Sequence, residues 1–162
     1  MAKVLYKITI SLFIKNLAFK STVILICDQV YILPMSQSVQ YLDRVLENIM
    51  HTDKQIRSAT IFDNAGNEIS TRIREGEEPF LSDSDTKETL HYAANAWKIR
   101  RTFEPKVGKG RYVLAVYDKL RRLSMPLGDK YLIMVTWGID GGSAQIIEHL
   151  ENMFSGDPTR DW

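Results

Sequence analysis

Residues 112–139 read YVLAVYDKLRRLSMPLGDKYLIMVTWGI, and the fold turns on how this stretch is read. Tyr112–Tyr117 and Tyr131–Ile139 are nearly unbroken runs of β-branched, aromatic and aliphatic residues. Their length suits strands better than buried helices. Leu120–Leu127 is a third run and carries Arg121 and Arg122. Gly128-Asp129-Lys130 separates the last two with residues that favour a tight turn. Three antiparallel strands are therefore expected, with the almost wholly apolar YVLAVY at the centre of the sheet.

Upstream, Val39, Leu42, Val45, Leu46 and Ile49 recur at helical spacing over residues 38–52, while Asp43, Arg44, Glu47 and Asn48 take the polar side. Ile56–Asp63 and Glu68–Ile73 read as two strands with mixed faces. They are joined by the turn Asp63-Asn64-Ala65-Gly66-Asn67, where Asn and Gly tolerate positive φ. An acidic loop follows. Asp85-Thr86-Lys87-Glu88 has the form of a capping box, with Asp85 as the cap. Leu90, Ala93, Ala94 and Trp97 then line a helix that must end before Pro105. Val107–Arg111 reads as a flexible turn. Downstream, Asp140-Gly141-Gly142-Ser143 opens a last helix with Ile146, Ile147, Leu150, Met153 and Phe154 at helical spacing. The order α-β-β-α-β-β-β-α is an α+β arrangement: a five-stranded antiparallel sheet with flanking helices.

Residues 1–34 stand apart. Val4, Tyr6, Ile8, Ile10, Leu12 and Ile14 alternate as in a strand, and Ser21–Cys27 is a second β-prone run. Lys7, Lys15, Lys20 and Asp28 interrupt the segment, so no run reaches the roughly 18 apolar residues of a membrane-spanning helix. No small-residue cleavage site follows the apolar stretch as in a signal peptide. Met35-Ser36-Gln37 has the look of a natural start, so an upstream extension without an evolved role is one expectation for 1–34. A domain at 35–155 and a flexible tail at 156–162 complete the expected organisation.

At 162 residues, 44% hydrophobic and 25% charged, the chain is ordinary globular material. It is large enough to bury roughly 70% of its unfolded surface. Its single cysteine, Cys27, excludes an intramolecular disulfide and fits a reducing cytoplasm. The net charge of +1 is unevenly spread: residues 63–88 carry −5 and residues 98–122 carry +7.

The element order and several strings resemble the roadblock/LC7 family, including small archaeal members without an assigned function. The strings are Leu42–Met50, then Ala59-Thr-Ile-Phe-Asp-Asn-Ala-Gly66, then Ser124–Trp137 with its Gly-Asp turn, then Ile146–Phe154. The resemblance covers about residues 38–154 and implies a roadblock/profilin-like fold. It also implies a non-catalytic homodimer that pairs sheet edges and scaffolds complexes or regulates a small GTPase. The acidic loop at 75–85 and the added N-terminus depart from the family pattern.

The residues themselves offer little catalytic chemistry. His51, His91 and His149 lack metal-ligand spacing. No phosphate-binding loop or nucleophile elbow is present. Gly108-Lys109-Gly110 precedes a strand and not a helix, and Gly141-Gly142-Ser143 reads as capping. The acids at 77–85 sit on a solvated loop. No catalytic, cofactor or metal residues are assigned. Lys98, Arg100, Arg101, Lys106, Lys109 and Arg111 form the candidate surface for a partner or an anion. Two alternatives remain open. One is a PAS- or Cache-type small-ligand sensor, its pocket framed by Trp97, Tyr112, Tyr117, Tyr131 and Trp137. The other is nucleic-acid binding by the basic run, disfavoured by the near-neutral chain.

Overall fold

The computed structural model describes residues 6–14, 17–26, 29–33, 36–140 and 142–154. Met35 and the tail at 156–162 lie outside them. Compact units divide the chain in sequence between Leu42 and Asp43.

In the first unit, β1 (Tyr6–Ile14), β2 (Leu17–Ile26) and β3 (Gln29–Leu33) form an antiparallel sheet in the order β1-β2-β3. The alternation at the N-terminus and the run at 21–27 thus both fall largely on strands. Helix α1 (Ser36–Thr52) follows.

The second unit holds β4 (Ile56–Asp63), β5 (Glu68–Ile73), α2 (Asp83–Arg101), the one-turn α3 (Glu104–Val107), β6 (Val113–Val116), β7 (Arg121–Leu127), β8 (Tyr131–Trp137) and α4 (Ser143–Phe154). Its five strands are antiparallel, in the order β5-β4-β8-β7-β6. The α+β class and the five-stranded sheet with flanking helices are as the sequence implies. The strongest apolar run, β8, occupies the centre, as a strand with a neighbour on each side should.

One placement differs. YVLAVY was expected at the centre, but β6 is an edge strand, paired among the described residues only with β7. Its apolar character does not come from burial: Val113, Leu114 and Ala115 are half-buried and Val116 is 66% exposed. Pro126 of β7 lies past the last residue paired with β6, where its missing N–H breaks no ladder.

The two faces of this sheet differ in chemistry. On one, Ala59 and Ile61 of β4, Leu123 and Met125 of β7, and Ile133 and Val135 of β8 are buried. Asp43 ties α1 to this face, accepting from the Ser70 hydroxyl at 2.7 Å and pairing with Arg72 at 3.3 Å. Asp43 thus has a structural role on what reads as the polar side of α1. Arg74 fixes the end of α1 by donating to the carbonyls of Met50, Asp53 and Ile56 at 2.7, 2.9 and 2.6 Å.

On the opposite face α2 packs Leu90, Ala94 and Trp97 against Phe62, Leu132 and Met134, with Val113 of the edge strand alongside. The Trp97 indole donates to the Ser124 hydroxyl at 3.0 Å. The cap lies three residues before the one expected. Ser82 is the cap: its Oγ accepts from the Asp85 N–H at 3.2 Å and donates to the Asp85 carboxylate at 2.7 Å. A serine hydroxyl can do both at once, so Asp85 becomes the third-position partner and not the cap. Acids in the first turn and Lys98, Arg100 and Arg101 in the last complement the helix dipole. The helix stops before Pro105, as expected; Pro105 itself opens α3, and Gly108, at φ 86°, closes it.

Candidate functional site

Helix α2 is apolar on two opposite sides. At 100° per residue, Leu90, Ala94 and Trp97 share the buried stripe. Tyr92 and Ile99 project from the far side with Phe103 just beyond the helix end, and they are 77%, 52% and 53% exposed. A helix packed on a sheet needs one such stripe, and large exposed apolar side chains in a row mark an interaction surface. Beside α2 runs the unpaired edge of β6, flanked by exposed Tyr112, Val116 and Tyr117. An open edge with apolar side chains is a template for pairing with another strand.

The six candidate cations are gathered at the end of α2 and on the segment leading into β6. They are not equally available. The Arg111 guanidinium pairs with Glu151 of α4 at 2.8 Å. Arg101 donates to the Asn64 side chain at 2.9 Å. Arg100 lies over the Trp97 ring, 5.8 Å from its centroid. Lys98, Lys106 and Lys109 are exposed. The basic run is thus partly structural: Asn64 also donates to the Asp129 carbonyl at 2.7 Å, so Arg101 helps hold two turns together.

The aromatic residues considered as a pocket frame do not make one. Trp97 and Trp137 are core residues, 1% and 0% exposed, whereas Tyr112 and Tyr117 lie on the surface. The glycines at 108–110 are not merely a flexible turn either. A Cβ on Gly110 would come within 2.7 Å of the Trp97 ring, so the loop is packed on the core. The acidic loop is likewise anchored: Glu77 pairs with Arg57 at 2.6 Å, and Phe80 stacks on the same guanidinium at 4.5 Å. His51 and His91 contact the carbonyls of Glu47 and Ala65. Among the described residues, no three His, Cys, Asp or Glu gather to hold a metal ion, and no helix is long and apolar enough to cross a membrane. Gly141 lies outside the described residues; the Gly142 carbonyl accepts from the N–H groups of Gln145 and Ile146 as α4 begins.

A groove does exist elsewhere on the α2 face, of about 230 Å³, between the first half of α2, the 77–81 loop and the strands. Its floor is polar. Ser58 of β4, Thr136 of β8 and Arg122 of β7 lie in register across the sheet, with Thr60 and Thr71 in the next row. Sequence reading missed it because these residues are scattered over the chain. The available signal was the polar half of the strand alternation in β4.

No protein-family model and no curated protein sequence matches the chain. Solved structures do. The gliding protein MglB from Thermus thermophilus superposes with a TM-score of 0.57 at 10% identity, over 71% of this chain and 82% of its own. A roadblock/LC7 domain from Streptomyces avermitilis gives 0.54 at 14% identity, over 70% and 91%. An MglB described with a tetrameric arrangement gives 0.55 at 11% identity, over 72% and 90%. The fold is therefore that of roadblock/LC7 domains. The likeness holds at the level of the fold.

Proposed function

We propose that the chain is a non-catalytic protein-interaction module that forms a homodimer through the outer stripe of α2 and the free edge of β6. The observation that carries this reading is the second apolar stripe, Tyr92, Ile99 and Phe103, facing away from the core beside an unpaired strand. In a two-fold pair the same patch serves both subunits, so stripe meets stripe and edge meets edge. The tetrameric arrangement of MglB on a similar fold supports assembly as a use of this scaffold.

The role of the dimer follows from the roadblock/LC7 resemblance: scaffolding or regulating a small GTPase. The exposed Lys98, Lys106 and Lys109, with Arg100, Arg101 and Arg111 behind them, provide a surface that steers an acidic partner face.

Ile99→Asp is the direct test, measured by sedimentation velocity. It places a charge in the interface and should yield monomers. Ile69→Asp, at a comparably exposed position on the opposite edge strand, should leave the dimer intact. Equal behaviour of the two variants would contradict the assignment of the interface. For the partner, retention of a purified small GTPase by the wild-type chain, lost on Lys98→Glu with Lys106→Glu, is the expected result. Retention unaffected by those changes would remove the basic surface from the account.

A further inference from the structure

The groove on the α2 face contains an arginine without an acceptor. Among the described residues, the Arg122 guanidinium makes no hydrogen bond and no ion pair, and its Nε is buried. Arg57 and Arg121 differ in this respect. Arg57 pairs with Glu77, and Arg121 donates to the carbonyl of Gly138 and closely to that of Ile139. A buried donor left unpaired is unfavourable, and such groups in folded proteins usually have a partner.

Glu68, Glu77, Glu78 and Asp83 line the same groove, but none of them pairs with Arg122. Glu77 is held by Arg57, and Glu68 accepts from the Thr71 hydroxyl at 2.8 Å. Asp83 and Glu78 are exposed at the mouth. The Tyr117 ring lies against the Arg122 guanidinium, 5.5 Å from its centroid. Stacking orients the guanidinium plane, and a guanidinium without an acceptor is suited to a two-oxygen group.

Next to Arg122 in the same row stands Thr136, whose hydroxyl is 2.6 Å from that of Ser58. One hydroxyl donates to the other, which leaves one further O–H to donate to a third oxygen. Thr60 and Thr71 continue the polar floor. Its volume is below the roughly 300–1,000 Å³ of sites for drug-sized ligands, and it suits a molecule the size of an amino acid or short diacid.

We infer that this groove binds a small carboxylate- or phosphate-bearing molecule, its oxygens taken by Arg122 and by the Ser58–Thr136 hydroxyl pair. The site uses the inner side of α2 and not the outer stripe; it meets the proposed dimer surface only at Tyr117, which stacks on Arg122 and flanks the β6 edge.

The test titrates succinate, glutamate and inorganic phosphate separately into the full chain. It follows thermal stability and the backbone amide resonances of Ser58, Arg122 and Thr136. At least one probe should raise the melting temperature saturably and shift those amides, because a ligand of the native state stabilises it by mass action. The diacid and phosphate arms distinguish the two oxyanion sources. Arg122→Gln should weaken binding roughly tenfold or more, and Arg122→Lys should restore part of it. Thr136→Val provides a second reading at the hydroxyl pair should Arg122→Gln unfold. Lys130→Gln, an exposed cation that does not line the groove, should bind as wild type. Failure of all three probes to shift the wild-type chain, or undiminished binding by both Arg122→Gln and Thr136→Val, would overturn the site.

Discussion

Gly66 and His91 touch backbone to backbone: a Cβ on Gly66 would lie 2.6 Å from the His91 Cα. The β4–β5 turn is thereby seated on the first half of α2, and the His91 Nδ1 contact with the Ala65 carbonyl at 2.7 Å fastens it there. Gly66 also has φ 91°, so two independent constraints fix its identity. Gly66→Ala should cost about 2–4 kcal/mol from backbone strain plus overpacking. Gly128→Ala is the control. That residue has φ 61° with open space around it, so only the strain of about 1–2 kcal/mol should appear. Urea denaturation of the two variants reads the difference, and equal losses would mean that the turn does not bear on α2.

The Trp97–Ser124 hydrogen bond links α2 to β7 inside the core. Ser124→Ala leaves the indole N–H buried without an acceptor and should cost about 1–3 kcal/mol. Trp97→Phe removes the donor as well as some volume. In the double variant the losses should be less than additive, by about 0.5 kcal/mol or more. Strict additivity would show that the contact contributes nothing.

Arg74 gathers three backbone carbonyls with one guanidinium. Lysine cannot reproduce that fork, so Arg74→Lys should behave more like Arg74→Ala than like wild type. Each should lose about 1.5–3 kcal/mol. Amide hydrogen exchange should place the loss at the end of α1 and the start of β4.

Asp63 titrates differently in the folded chain. Burial acts to raise its pKa, but the Asn67 side chain and the N–H groups of Asn67, Ala65 and Gly66 outweigh it and hold the carboxyl below its ordinary 3.8. A depressed carboxylate stabilises the fold above its unfolded pKa, and the contribution is lost as the pH falls through the folded value. Wild type should therefore exceed Asp63→Asn in stability at neutral pH, and the gap should narrow as the pH is taken below 3.8. A gap that does not change with pH would contradict this account of the turn.

Much of this architecture is legible in the chain itself. Period-two and apolar runs expose β4, β7 and β8, and the spacing of Val45, Leu46 and Ile49 exposes α1. What hydropathy cannot convey is the reason a run is apolar. YVLAVY looks like a central strand, yet Val116 is apolar at an open edge and Trp137 is apolar at the core. The same ambiguity hides the outer stripe of α2: Leu90, Ala94 and Trp97 are legible as the inner side, while Tyr92 and Ile99 stand out only once their exposure is seen. The groove is hidden for another reason. Ser58, Arg122 and Thr136 come together only through the strand order β4-β8-β7, which no local pattern encodes. Of the six cations, the sequence locates the cluster, but the engagement of Arg111 by Glu151 and of Arg101 by Asn64 requires the fold.

The central claim is that α2 and β6 carry a self-complementary surface, and the mass of the intact chain in solution tests it most directly. Size-exclusion chromatography with light scattering, at tens of micromolar protein, should give about twice the 18.6 kDa chain mass. A single species at 18.6 kDa under those conditions would contradict the account.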